Sequence, residues 1–135
     1  MTGITGNYAD LLARAYAEAD TAINAYVASH GGFDACEQGL NCGFAWVTVH
    51  PGNHSFVAWC RKRVKELEAA KANGDPTPYN ARQFGSKGYP NGWQFWCPGN
   101  YKGQSVDVMA AGAKAFGDVL AHGLQTRVEV SSRLD

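Results

Sequence analysis

The run Cys42-Gly43-Phe44-Ala45-Trp46-Val47-Thr48-Val49 limits the possible folds more than any other stretch of the chain. It is rich in β-branched and aromatic residues and stops at His50-Pro51-Gly52, which marks a strand. Alternation places Phe44 and Trp46 on one face and Ala45, Val47 and Val49 on the other. With apolar groups on both faces, the strand is expected at the centre of a sheet, covered on each side. Phe44 and Trp46 are then expected to pack, as are Phe56 and Phe116.

Helical stripes surround this strand. Tyr8, Leu12, Ala15, Ala19, Ile23, Tyr26 and Val27 recur every three or four residues, predicting an amphipathic helix from about Tyr8 to Ser29, stopped by Gly31-Gly32. A second helix, capped by Asn53 or Ser55 and running to about Ala72, carries the stripe Phe56, Val57, Cys60, Val64 and Leu67. A third, from about Ser105 to His122, buries Val106, Met109, Ala110, Ala113, Phe116 and Leu120 and stops at Gly123. Gly92 to Cys97 and Gln125 to Val130 read as two further strands, the latter with Val128 and Val130 inward, and Ser131 to Asp135 closes the chain. Between Asp75 and Asn91, three prolines with Gly85 and Gly88 predict an irregular excursion, whose Tyr79, Phe84 and Tyr89 argue against disorder. The order α-β-α-β-α-β predicts one α+β domain over residues 1–135. It has two layers: a small three-stranded sheet of mixed direction, packed with three helices mainly on one face.

Charge and composition narrow the function. Twelve Lys and Arg balance twelve Asp and Glu, so the broad positive field that extended nucleic acid requires is missing. No apolar run approaches the roughly 20 residues of a membrane span. Met1 to Gly6 lacks the basic start and apolar run of a secretion signal, so a cytosolic chain with four reduced cysteines is expected. Cys36, Cys42, Cys60 and Cys97 form no C-x-x-C pair, and Pro51 and Gly52 prevent a helix that would align His50 with His54, which argues against a metal site. Ser105 lacks the nucleophile-elbow context, Cys42 lies in tightly packed backbone, and no carboxylate pair suggests acid–base work. No catalytic residue and no cofactor is assigned.

Three features suit a small phosphorylated ligand instead. The turn at Gly99, Lys102, Gly103, Gln104 and Ser105 enters a helix whose first N–H groups point outward at the positive end of the helix dipole. Lys102 adds a full charge, while Ser105 either bonds a ligand oxygen or simply caps the helix. Arg133 offers a fork suited to phosphate; the alternative is a pair with Asp135 or no partner. Alternation separates Trp96 from Trp93 and Phe95, so one of these sets faces away from the core, and Arg82 and Phe84 are placed to close over it.

Cys-Gly-Phe-Ala-Trp-Val at 42–47, Gly-Gln-Ser at 103–105 opening an alanine-rich helix, and Ser-Arg-Leu-Asp at 132–135 together resemble a family of small tailed-phage proteins. The resemblance covers about Cys42 to Asp135; the first helix does not contribute, and the loop at 75–91 is peculiar to this chain. That family is similar to the phage anti-Thoeris sponges that sequester cyclic ADP-ribose signals. This likeness implies binding without turnover, a homo-oligomer, and action in the host bacterial cytoplasm against a defence system. It also raises Arg133 to a ligand contact. The expected ligand set is Phe44, Trp93, Trp96, Lys102, Gly103, Gln104, Ser105 and Arg133. A phage accessory or virion protein acting through protein–protein contacts, and a small thiol or hydrolytic enzyme, are the alternatives. The ligand reading requires the start of the last helix and Arg133 to meet beside the stacked rings.

Overall fold

The computed structural model describes residues 4–38, 41–76, 83–88 and 91–135. In chain order its elements are α1 (Ile4–Ser29), α2 (Phe33–Glu37), β1 (Gly43–Val49), α3 (Ser55–Ala72), β2 (Ser86–Lys87), β3 (Trp93–Trp96), α4 (Val106–Leu124) and β4 (Val128–Leu134). The α+β class holds, with two additions. A short helix, α2, and a two-residue strand, β2, raise the described elements to four helices and four strands. Strand β2 lies inside the excursion expected to be irregular, where it pairs with β3. Tyr79, Arg82 and Tyr89 of that excursion fall outside the described residues.

The sheet order is β2-β3-β1-β4, and every neighbouring pair is antiparallel rather than of mixed direction. The reason lies in α4. Strands β3 and β4 both run opposite to β1, so they run parallel to each other, and α4 carries the chain between them across β1. This is a split β-α-β unit, in which the parallel pair never touches because β1 sits between its members. The first strand is central, as its composition suggests.

Among the described residues, helices cover one of its faces. Ala45, Val47 and Val49 of β1, with Trp93 and Phe95 of β3, are buried. Phe95 meets Phe116 of α4 at 5.1 Å and Phe56 of α3 at 6.2 Å between ring centroids. Burying such a ring stabilises the fold by roughly 1.5–3 kcal/mol. Helix α1 packs on α4 through Leu12, Ala15, Ala19 and Ile23, all buried. The approach is close: a Cβ on Gly112 would stand 2.7 Å from Ile23 Cδ1. Small residues on both helices permit that contact.

Several boundaries shift for local reasons. His54, not Asn53 or Ser55, caps α3, its Nδ1 accepting the Phe56 N–H at 3.0 Å. Residues 131–134 continue β4 instead of trailing from it, because their register against β1 extends to Leu134 opposite Gly43. Val130, expected inward, is 41% exposed, since β4 is an edge strand at the margin of what α4 covers.

Candidate functional site

The turn between β3 and α4 is held from three sides. Asp20 of α1 accepts the Asn100 N–H at 2.9 Å through Oδ1. The start of β1 grips the other end: the Gly43 N–H donates to the Gln104 carbonyl at 3.0 Å, and the Val106 N–H donates to the Asn41 carbonyl at 2.8 Å. Cys42 and Ser105 form an isolated bridge between these backbones. Ser105 itself is only 8% exposed and caps α4, its Oγ accepting the Val108 N–H at 3.5 Å. Capping accounts for its hydroxyl.

The outward N–H groups expected to receive a ligand anion already have one. Glu37, the last residue of α2, takes the Gln104 N–H on Oε1 and Oε2 at 2.9 and 3.0 Å and the Ser105 N–H on Oε2 at 3.1 Å. The Tyr101 hydroxyl donates to the same carboxylate. Desolvation works against the ionised Glu37 carboxyl, but the Tyr101 hydroxyl and the two backbone donors outweigh it and hold the group below its ordinary value. Tyr101 responds in the opposite sense, raised by desolvation and then by the facing carboxylate. Gly103 leaves the space this requires, because a Cβ there would collide with the Glu37 carboxylate and lie 2.6 Å from the Tyr101 hydroxyl. The turn is an anion site, filled by the chain's own acid. Sequence reasoning missed Glu37 because its partners lie 67 and 68 residues downstream and α2 has no periodic stripe.

Aromatic rings form the side of the sheet that no described helix covers. Phe44, Trp46 and Trp96 share that face, each half-buried. Trp96 stacks on Trp46 at 5.3 Å with planes 15° apart and meets Phe44 at 5.2 Å. Phe44 and Trp46 therefore do not pack against a helix as expected. Arg133, directly opposite Phe44 across the β1–β4 pair, holds its guanidinium 5.9 Å from the Phe44 ring centre. At the end of this row lies a cleft of about 360 Å³, whose lining includes Phe44, Trp96, Tyr101, Lys102, Gly103 and Gln104, with Cys97, Met109 and Asp135 closing it.

Of the expected ligand set, Phe44, Trp96, Lys102, Gly103 and Gln104 line one cleft, and Arg133 sits beside it over the shared Phe44 ring. Two residues are not brought there. Ser105 is a buried cap. Trp93 is 4% exposed on the opposite, helix-covered face, where its Nε1–H donates to the Phe84 carbonyl at 2.7 Å. The reason is alternation along β3, which turns Trp93 and Phe95 inward and Trp96 outward. Phe84 packs edge-on against Trp59 at 5.7 Å and so belongs to the core side rather than closing over the outer rings. A second, apolar cleft of about 510 Å³ runs beside the first, lined by Ile23, Val27, Phe33, Tyr101 and Lys102 among others. Tyr101 and Lys102 are common to both clefts.

The aromatic cleft offers stacking surfaces on Phe44 and Trp96 and the charge of Lys102. Cys42 and Cys97 reach the aromatic cleft, but no histidine lines it. Cys60 is buried and its thiol is pushed well above its ordinary value by desolvation. His50 is engaged elsewhere, its Nε2 2.6 Å from Glu129, which also pairs with Arg127 at 3.1 Å. Among the described residues, no three His, Cys, Asp or Glu side chains converge as a metal site would need. No described helix is long and apolar enough to cross a membrane. Comparison with protein-family models, curated proteins and solved structures returns no match.

Proposed function

We propose that the chain is a non-catalytic binding protein that captures a small phosphorylated, nucleotide-type ligand in the aromatic cleft. The observation that carries this reading is the row of Phe44, Trp46 and Trp96 on a sheet face left open by the helices, flanked by Lys102 and Arg133. A base stacked on an aromatic face contributes about 1–3 kcal/mol, and a cleft of this volume lies in the range of about 300–1,000 Å³ used for small ligands. Since Glu37 fills the N–H groups of Gln104 and Ser105, ligand phosphates fall to Lys102 and to the Arg133 fork. The balanced net charge favours a compact ligand over extended nucleic acid.

The resemblance to tailed-phage proteins extends the proposal. On that reading the ligand is a cyclic ADP-ribose-like defence signal, sequestered without turnover in the host bacterial cytoplasm. Thermal unfolding in the presence of cyclic ADP-ribose isomers, ADP-ribose and AMP tests this directly. Stabilisation by one of them is expected, with the nucleotide recovered unchanged and the shift lost in Lys102→Ala and Arg133→Ala. No shift with any nucleotide, or recovery of an altered one, overturns the reading.

A further inference from the structure

Among the described residues, Phe33 is the one aromatic ring in the set of exposed large apolar side chains, at 46% exposure. Gly31 and Gly32, with φ of 90° and 98°, turn the chain out of α1 and set this ring at the start of α2, a helix that buries none of its residues. Burial therefore does not account for Phe33, and a ring left on the surface marks a contact. Phe33 leans on Tyr101, 5.6 Å between ring centroids with planes at 51°, and the Tyr101 hydroxyl is fixed in turn on Glu37. With Val27 of α1 these two rings wall the apolar cleft of about 510 Å³. Two carboxamides, Asn24 and Asn100, stand in the same lining. Rings beside amides suit a flat heteroaromatic group, which has a stacking face and a polar edge. An acyl chain would leave the amides nothing to bond.

This cleft and the aromatic one meet at Tyr101 and Lys102, which line both. Each is larger than the roughly 300 Å³ at which small-ligand pockets begin. Lys102 is exposed at the junction, and no carboxylate among the described residues forms an ion pair with it. A cation between two ring-lined clefts is complementary to a ligand with a ring at each end and an anionic link in the middle. One base on Phe44 and Trp96 and a second beside Phe33 would leave the connecting phosphates at Lys102.

We infer, resting on the aromatic-cleft reading but not on the phage likeness, that the ligand is a dinucleotide: two heteroaromatic bases joined through phosphates, the second base held between α1 and α2 against Phe33. Calorimetric titration of the full chain with nicotinamide adenine dinucleotide, diadenosine diphosphate and ADP-ribose tests this. ADP-ribose is the first of these without its second base. At least one of the two dinucleotides should bind about tenfold more tightly than ADP-ribose, the gain expected from one more stacked base. Phe33→Ala should remove that difference and leave ADP-ribose binding unchanged, whereas Trp96→Ala should weaken every one of the three. Because Phe33 also touches Tyr101, Asn24→Ala on the exposed side of α1 gives a second variant, and it should narrow the difference. Dinucleotides that bind no more tightly than ADP-ribose, or an advantage that survives both Phe33→Ala and Asn24→Ala, overturn the inference and leave the aromatic-cleft reading standing. Binding of none of the three overturns both.

Discussion

The Glu37 carboxylate accepts the Gln104 N–H on both oxygens, at 2.9 and 3.0 Å, and so ties α2 to the start of α4. An acid from one helix thereby does for another what an N-terminal side-chain cap normally does from within. Truncation at Glu37→Ala leaves the N–H groups of Gln104 and Ser105 without this acceptor, and a loss of about 1–2 kcal/mol is expected by urea denaturation at neutral pH. The vacated donors should then accept an added anion. Inorganic phosphate is expected to raise the melting temperature of Glu37→Ala more than that of the native chain.

The same bond sets an acid limit on stability. Glu37 is held below its ordinary carboxyl value of 4.5, so more protons bind the unfolded chain than the native one in the acid range. Its contribution is therefore present above that ordinary value and lost as pH falls through the lower, native value. Glu129, lowered by the His50 hydrogen bond and by Arg127, acts with the same sign. Unfolding midpoints measured from neutral pH downward should show Glu37→Gln well below the native chain at pH 7. The two curves should converge at the acid end.

Gly103 and Glu37 form one unit. A methyl group at position 103 would occupy the space of the carboxylate, and Glu37 can answer only by swinging away from its donors. Gly103→Ala should therefore cost about as much as Glu37→Ala, roughly 1–2 kcal/mol. In the double variant the losses should not add. A double-mutant cycle on unfolding free energies checks this; additive losses would show that Gly103 serves another purpose.

The legible parts of the fold were those written in local pattern. Periodicity places α1, α3 and α4, and the β-branched run places β1 at the centre, because each stripe needs only its own neighbours to declare it. What local pattern cannot carry is pairing. The antiparallel neighbours of β1 follow from α4 stepping across it, and the length of β4 follows from its partner, since Ser131-Ser132-Arg133 has little strand character alone. The site shows the same division. Lys102, Gly103 and Gln104 are identified by the turn and Trp96 by alternation, but Glu37, which decides what that turn binds, reaches it only through the tertiary fold.

Trp93 and Trp96 separate fold from recognition on a single strand. Trp93 is buried among the core rings, with Arg61 5.1 Å from its ring centre and its Nε1–H on the Phe84 carbonyl. Trp96 stands on the open face against Trp46 and Phe44. Trp93→Ala should cost about 3–5 kcal/mol by removing a core ring and leaving a cavity. Trp96→Ala removes only half-buried surface, so a smaller loss of about 1 kcal/mol is expected, with the sheet retained. If the rings serve a base, Trp96→Ala should lose nucleotide-induced stabilisation while remaining folded by far-ultraviolet circular dichroism. A folded Trp96→Ala with the full nucleotide shift would assign the outer rings to contact with another polypeptide instead.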